Sequence, residues 1–218
     1  MKEFKLVEGL FLYPTPSGAY QAISAKEGDK PRRFLKRLLQ QSQTPVLSIE
    51  QLMMLADGDD ESKTLELLHH CQKLGWVQGV DSVIEAPQGT LEDILPELLD
   101  KITENGKVLL ADEQGFYLAC SGFPHEVAEE LSALSADLAT VHKRRSGLLS
   151  NNMGITSQAW AVVDAFGNSQ IGFWPVFIGS HCFVIAIAGI PHFNQAEFVT
   201  LIWALSIRYA KKDSPKQG

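Results

Sequence analysis

The stretch "KVLLADEQGFYLACSGFPHEVAEELSALSADLATVHK", Lys107 to Lys143, joins two apolar runs through an acidic glycine turn and continues into a helix rich in small residues. The runs "KVLLAD" and "FYLACSG" have the length of strands, and "EQG" between them is typical of a tight hairpin. Asp112, Glu113 and Gly115 also suit a metal or nucleotide site, because carboxylates ligate hard cations and glycine lets a backbone approach a phosphate. The residues alone leave both interpretations open.

The segments on either side predict the rest of a domain. "TLEDILPELLDKITENG" predicts a helix that ends at Gly106, and Pro124 opens a long helix that runs to about Arg145. "AWAVVDAFGNSQIGFWPVFIGSHCFVIAIAG" supplies three strands, and apolar residues at helical spacing predict a last helix from Asn194 to Lys211. This order predicts an α+β fold in which a five-stranded antiparallel sheet lies between helices.

The first part of the chain predicts helices from Pro31 to Val80, namely "PRRFLKRLLQQ", "SIEQLMMLA" and "DESKTLELLHHCQKLGW". "WVQGVDSVIEA" then predicts two short strands around Gly79 to Ser82. Three helices followed by a β-hairpin resemble a winged helix over residues 31–86. With "APQGTLED" as a linker, the predicted organisation is a winged-helix-like domain 1–86, a linker 87–92, a second domain 93–212 and a disordered tail 213–218.

Charge disfavours nucleic acid as a partner. The chain has 19 Lys and Arg against 26 Asp and Glu, a net charge of −7, so its field repels polyanions. The predicted third helix carries more acids than bases, whereas a recognition helix needs donors for phosphates and guanine edges. Arg32, Arg33 and Arg37, with Lys36, lie on the first of these helices and form a candidate contact for an acidic partner or a phosphate backbone.

The remaining patterns predict a cytoplasmic protein without a catalytic centre. Three distant cysteines indicate reduced thiols, and acids and prolines interrupt the N-terminal apolar patch, so neither a signal peptide nor a membrane anchor is predicted. "CFVIAIAGI" is too short for a membrane helix and predicts a buried strand. The sequence contains no GxSxG, P-loop or HExxH motif, so we expect no enzyme activity, cofactor or metal. Asp164 invites an acid or base role, but a turn before the next strand is the simpler interpretation.

The segment "VLLADEQGFYLACSGFPHEVAEELSALSADLATVHKR" resembles the roadblock family, also called the dynein light chain roadblock family. The strand, Asp-x-x-Gly, strand pattern, the Ser-Gly that ends the second strand and the Glu/Ala/Leu-rich helix carry the resemblance, which extends over residues 90–212. It implies that Asp112, Glu113 and Gly115 form a hairpin turn. No nearby stretch offers further metal ligands, which favours the same interpretation.

The resemblance also implies a homodimer, because family members pair through the central helix and an edge strand. A strip of small residues on this helix fits such an interface, with Val127, Leu131, Leu134 and Leu138 packing the sheet beneath. The alternative is that the alanines only raise helix propensity. The predicted interface residues are Ala128, Ser132, Ser135, Ala136 and Ala139.

"GFWPVF" is a second candidate contact surface. Side chains alternate across a strand, so Phe173 and Trp174 cannot both be buried on one face, and one of them is a candidate partner contact. The alternative is that helices cover both faces.

Two functions from different classes follow. The first is a non-catalytic dimerising scaffold or regulator, and the resemblance implies a small GTPase as its partner. The second is a DNA-binding transcriptional regulator that uses the winged helix and dimerises through the second domain. The added segment 1–88 departs from the family pattern.

Overall fold

The computed structural model describes residues 5–7, 9–26 and 28–210. It divides into two compact units, one with the residues up to 88 and from 199 onward, the other with residues 89–198. The tail predicted at 213–218 lies outside the described residues.

Up to residue 88, the described part of the first unit forms four helices and a two-stranded sheet: β1 (Phe11–Pro14), α1 (Pro16–Ile23), α2 (Lys30–Leu38), α3 (Ile49–Ala56), α4 (Glu61–Lys73) and β2 (Val77–Val80). Thr15, Asp29, Ser48 and Asp60 cap the helices, and each accepts a hydrogen bond from an amide in the first turn. The three helices predicted in this segment are confirmed as α2, α3 and α4.

The hairpin predicted around Gly79 to Ser82 is wrong. β2 pairs antiparallel with β1, and Phe11 lies opposite Val80. The residues after β2 turn away: the Thr44 amide donates to the Ile84 carbonyl at 2.8 Å and the Ala86 amide to the Ser42 carbonyl at 2.9 Å. Strand β1 therefore pairs with β2 in place of the second strand of the predicted hairpin. The winged-helix resemblance itself stays a prediction.

The second unit contains α5 (Leu91–Lys101), β3 (Val108–Ala111), β4 (Tyr117–Ser121), α6 (His125–Ser146), a π-helical turn (Gly147–Asn152), β5 (Trp160–Val163), β6 (Ser169–Ile178) and β7 (His181–Ala188). The sheet order is β4-β3-β7-β6-β5, and every neighbouring pair is antiparallel. The predicted mixed fold with a five-stranded antiparallel sheet is confirmed.

The core of this unit lies against α6. Ala128 packs into a buried cluster with side chains from three strands: Leu109, Ala111, Phe173, Val184 and Ala186. All four residues of β3 are buried, so this strand is covered on both faces, and α5 packs against β3 and β4. The two outer strands, β4 and β5, are the edges of the sheet.

The last helix, α7 (Ala196–Tyr209), begins in the second unit and continues in the first. Within the first unit, the Trp203 indole Nε1 donates to the Gln41 carbonyl at 2.8 Å, and its ring meets Tyr13 edge to face. The sequence places this helix wholly in a domain 93–212. The domain limits stay a prediction.

Candidate interaction surface

Two hairpin turns share one geometry. In the β3–β4 turn the Asp112 Oδ1 accepts from the Gln114 amide at 2.9 Å and the Phe116 amide at 3.0 Å. In the β5–β6 turn the Asp164 Oδ1 accepts from the amides two and four residues later, at 2.9 and 3.0 Å. Gly115 and Gly167 each have a positive φ, +88° and +87°. Both acids organise turns, which confirms the predicted turns at Asp112 and Asp164.

The hydrogen bonds of the β5–β6 turn also change the acidity of the Asp164 carboxyl. Bonds from the Asn168 backbone and side chain, and then from the Phe166 and Gly167 amides, hold the pKa of Asp164 below its ordinary value of 3.8. The carboxylate is therefore stabilised in its charged form by its own loop. Among the described residues there is no group of three or more His, Cys, Asp or Glu side chains that could hold a metal ion.

The structure corrects the predicted orientation of α6. Ala128, Ser132 and Ser135 are fully buried in the protein's own fold, and Ala136 and Ala139 are half-buried. Val127 and Leu134, predicted to pack the sheet, are 40% and 41% exposed instead. For these two residues the predicted orientation was wrong, whereas Leu131 and Leu138 pack against the buried cluster as predicted. The small residues face the protein's own sheet as well. As dimer contacts, the five strip residues stay a prediction.

The close approach of the β3–β4 turn explains this orientation. A Cβ built on Gly115 would lie 3.3 Å from the Ala133 Cα and 3.5 Å from the Ala136 Cβ. Larger side chains on this side of α6 would push the turn away. Ser132 and Ser135 satisfy their hydroxyls within the helix, each donating at 2.7 Å to the carbonyl four residues earlier.

An exposed apolar surface lies at the other edge of the sheet. Val162 and Val163 on the edge strand β5 are each 56% exposed, and Phe166 in the following turn is 92% exposed. A sheet edge presents backbone donors and acceptors that another strand can pair with. We call Val162, Val163 and Phe166 the β5 edge.

A tertiary contact that was not predicted from the sequence joins β5 to α6. The Trp160 Nε1 donates to the His142 Nδ1 at 3.2 Å, and the two rings meet edge to face at 6.2 Å. His142 is buried near the end of α6. Eighteen residues separate the two rings, so no local pattern signals the pair. The contact joins the last turns of α6 to the first residue of β5.

The two candidate aromatic residues, Phe173 and Trp174, differ in exposure. Phe173 is 2% exposed within the cluster under α6, so it is the buried member of the pair. Trp174 is half-buried, meets Phe193 edge to face at 5.3 Å and covers Gly172. Trp174 alone remains a candidate partner contact.

The predicted basic cluster is mostly engaged within its own unit. The Arg32 Nε donates to the Gln21 carbonyl at 2.9 Å, near the end of α1. Arg37 donates to the Leu55 carbonyl at 3.1 Å and pairs with the Asp57 carboxylate at 2.7 Å, at the end of α3. These cations stabilise helix C-termini, where carbonyls lack partners. Arg33 is exposed.

Lys36 belongs to the same network. Its Nζ donates to the carbonyls of Ala25 and Lys26 at 3.2 and 3.0 Å. Burial lowers its pKa, and the positive charge of Arg32 lowers it further. An ammonium held in this way is a poor contact for a phosphate backbone, since two of its three N–H donors already have partners.

The three cysteines form no disulfide, as the sequence predicts. Burial raises the pKa of the Cys71 thiol to about 12, with a smaller contribution from Asp29. Within the described part of the chain, no helix combines the length and apolarity required to cross a membrane.

Comparison with known proteins gives a likeness in fold only. No family model matches the chain, and no curated protein matches it. Three solved structures do: a roadblock/LC7 domain from Streptomyces avermitilis (TM-score 0.36, 16% identity, 55% of this chain and 93% of that one), the gliding protein MglB from Thermus thermophilus (0.36, 18%, 57% and 94%) and Myxococcus xanthus MglB (0.36, 15%, 59% and 99%). At this level of likeness neither activity nor partner follows for this chain.

Proposed function

We propose that the protein is a non-catalytic scaffold or regulator that dimerises through its second unit. The observation that carries the proposal is the β5 edge, an uncovered strand with two exposed valines and an almost fully exposed phenylalanine beside it. Exposed apolar edges are a liability for a monomer, so a natural protein covers them. A second copy of the same edge supplies an antiparallel partner strand.

The flank of α6 supports the same proposal. Val127 and Leu134 are exposed on this helix, and the contact between His142 and Trp160 ties its end to β5. In the proposed dimer, exposed apolar residues of both the helix and the strand become covered by the second copy. A two-fold interface uses the same patch on both subunits, and this patch combines a helix face with a strand edge.

The partner of the dimer is a protein in this proposal. The resemblance to the roadblock family implies a small GTPase. DNA binding is disfavoured because Arg32, Lys36 and Arg37 donate to carbonyls and a carboxylate of their own unit, whereas affinity for DNA requires cations that replace counterions on phosphates. A cytoplasmic location accords with three free cysteines.

Light scattering on the unaltered protein tests the proposal, and we expect the mass of a dimer. Replacing Val162 with lysine should shift the protein toward monomer, because a charge on the covered edge must be desolvated. Val7→Lys is the matched control: this valine is also exposed, at 64%, but lies in the first unit. A monomeric wild-type protein at all concentrations contradicts the proposal.

A separate experiment tests whether the partner is DNA. An electrophoretic shift series with duplex DNA at low and physiological salt should show no complex that survives physiological salt. A complex that does survive, and that disappears in the Arg33→Gln variant, would favour the DNA-binding regulator instead. Calorimetric titration of GTP or ATP should show no binding, since in the proposed role the partner, and not this protein, binds the nucleotide.

A further inference from the structure

The segment that leads from the end of α6 to β5 differs in charge from the rest of the chain. Residues 138–163 contain no Asp or Glu, although the whole chain has a net charge of −7. Three consecutive bases lie in this segment, Lys143, Arg144 and Arg145, and all three are exposed. The helix dipole favours bases in a last turn, but it does not account for an acid-free segment that continues well beyond the helix.

The same segment exposes large apolar side chains. Leu148 is 51% exposed, Met153 60% and Ile155 39%. From residue 143 to residue 157 every residue is exposed except Leu149, which is half-buried. Exposed apolar side chains that cluster within a few residues are a mark of an interaction site. The protein's own fold therefore leaves both the bases and the apolar residues available.

The backbone of this segment is ordered by its own hydrogen bonds. After α6 the chain makes the π-helical turn Gly147–Asn152. The Met153 amide then donates to the Leu148 carbonyl at 3.1 Å, and the Ile155 amide donates to the Leu149 carbonyl at 2.9 Å. The apolar side chains thus extend from a folded loop, so binding through them orders little additional chain.

We propose that this loop binds the surface of an anionic phospholipid membrane. Its apolar side chains enter the boundary between headgroups and acyl chains, and its bases contact the lipid phosphates. Membrane-surface binding of this kind adds buried apolar area to electrostatic attraction. The proposal goes beyond the function proposed above and holds for a monomer or a dimer. The membrane surface, as we call it below, consists of Lys143, Arg144, Arg145, Leu148, Met153 and Ile155.

The acids on the adjoining elements lie at a distance from the bases. Asp137 is six residues before Lys143 and Glu130 is thirteen, which correspond to about 9 and 20 Å along a helix. Asp164 follows β5, whose four residues span about 13 Å. At physiological ionic strength charges are screened beyond about 8 Å. Repulsion between these acids and anionic lipids is therefore weak where the bases make contact.

Other anionic partners satisfy only part of the membrane surface. A nucleic acid or a free phosphate would match the three bases and leave Leu148, Met153 and Ile155 in water. An acidic protein segment could cover both, but the three apolar residues follow neither helical nor strand spacing, so it would need a shape made for this loop. A lipid interface accepts apolar side chains in any arrangement, which favours the membrane.

Flotation with lipid vesicles tests the proposal on the full chain. We expect the protein to float at about 0.1 M salt with vesicles of phosphatidylcholine and phosphatidylglycerol, and much less with phosphatidylcholine alone. Lys143→Gln/Arg144→Gln/Arg145→Gln should lower the partition coefficient by at least about tenfold. Leu148→Ser/Met153→Ser should lower it by about tenfold as well, because less apolar area is buried. Soluble glycerol phosphate should not displace the protein.

The first unit offers matched control variants. Lys26, Lys30 and Lys73 are exposed there, so Lys26→Gln/Lys30→Gln/Lys73→Gln removes the same number of positive charges. Met54 and Leu74 are also exposed, at 71% and 45%, so Met54→Ser/Leu74→Ser removes the same pair of apolar side chains. Both controls should float like the unaltered protein. Circular dichroism checks that every variant keeps its fold.

Three results would overturn the proposal: no flotation of the unaltered protein, equal flotation with neutral and anionic vesicles, or equal losses in the loop variants and their controls. A protein that binds a soluble peptide of alternating Glu and Leu, but does not float, assigns the surface to an acidic protein partner instead. Light scattering reports the dimer separately. A monomer that floats contradicts only the proposed function, and a dimer that does not float contradicts only the membrane surface.

Discussion

At the scale of single residues, the two hairpin glycines are a natural pair for comparison. Gly115 and Gly167 occupy the same turn position with nearly equal φ, but only Gly115 lies against a helix, whereas nothing is within 4 Å of a Cβ built on Gly167. A side chain at positive φ costs about 1–2 kcal/mol at either site. Gly115 therefore combines a conformational and a packing requirement.

We expect both Gly115→Ala and Gly167→Ala to lower the free energy of unfolding. The loss should be about 1 kcal/mol larger for Gly115→Ala. The added methyl at residue 115 must displace backbone of α6, while the one at residue 167 enters open space. Urea denaturation of both variants measures the difference. Equal losses would show that the turn approaches α6 less closely than 3.3 Å implies.

Asp164 predicts a pH dependence. Its pKa is depressed in the folded protein, so its contribution to stability is present above the ordinary pKa of 3.8 and is lost as the pH falls through the folded value. Asp164→Asn should therefore lower the melting temperature near neutral pH and make little difference at acidic pH, where the wild-type carboxyl is protonated. A loss independent of pH would assign the effect to geometry and not to charge.

The thiol of Cys71 should resist alkylation in the native protein. Burial raises its pKa to about 12, so the reactive thiolate is scarce near pH ~8. We expect no modification of Cys71 by iodoacetamide at that pH, and full modification in urea. Mass spectrometry of peptides reports the site. Rapid native labelling of Cys71 would show that α4 opens readily.

At the scale of elements, Arg37 links two helices. From α2 it donates to the Leu55 carbonyl in the last turn of α3 and to the Asp57 carboxylate, and its side chain is 30% exposed. Arg37→Gln should lower the free energy of unfolding by about 1 kcal/mol, because hydrogen bonds to a carbonyl and a largely exposed carboxylate are lost. Arg33→Gln is the matched control on the same helix, and thermal denaturation should find it nearly neutral.

Elements defined by local chemistry could be predicted, and elements defined by distant partners could not. The Asp-x-x-Gly turns, the helix caps at Ser48 and Thr90 and the succession of strands along the second unit follow from short patterns. The pairing of Phe11 with Val80 does not, because no local rule joins residues so far apart. A proline-bounded apolar patch of four residues gave no sign that it would replace a predicted hairpin strand.

The candidate interaction surface likewise combines features that local patterns predict with features that depend on distant contacts. The sequence identifies α6 as the central helix, and its small residues as a distinct strip, but either side of a helix can face the sheet. Gly115 determines which side faces the turn, since a Cβ on this residue would already lie 3.3 Å from the Ala133 Cα and 3.5 Å from the Ala136 Cβ. The contact between His142 and Trp160 and the internal bonds of Arg32 and Arg37 are likewise tertiary.

At the scale of the whole molecule, α7 makes the last part of the described chain a component of the first unit. Trp203 is 3% exposed, donates to the Gln41 carbonyl and contacts Tyr13. Truncating this residue removes a large buried ring and leaves that carbonyl without its donor. The effect on stability should therefore spread to residues far away in sequence.

We expect Trp203→Ala to reduce hydrogen-exchange protection in β1, α2 and β2, while β3 and β7 keep most of theirs. Trp203→Phe retains the ring and loses only the donor, so it should produce a smaller loss confined to the surroundings of Gln41. Exchange measured by mass spectrometry resolves these segments. If β3 and β7 lose protection as much as β1 and β2 do, the two units unfold together, and the division of the chain at residues 88 and 199 does not describe separate cooperative units.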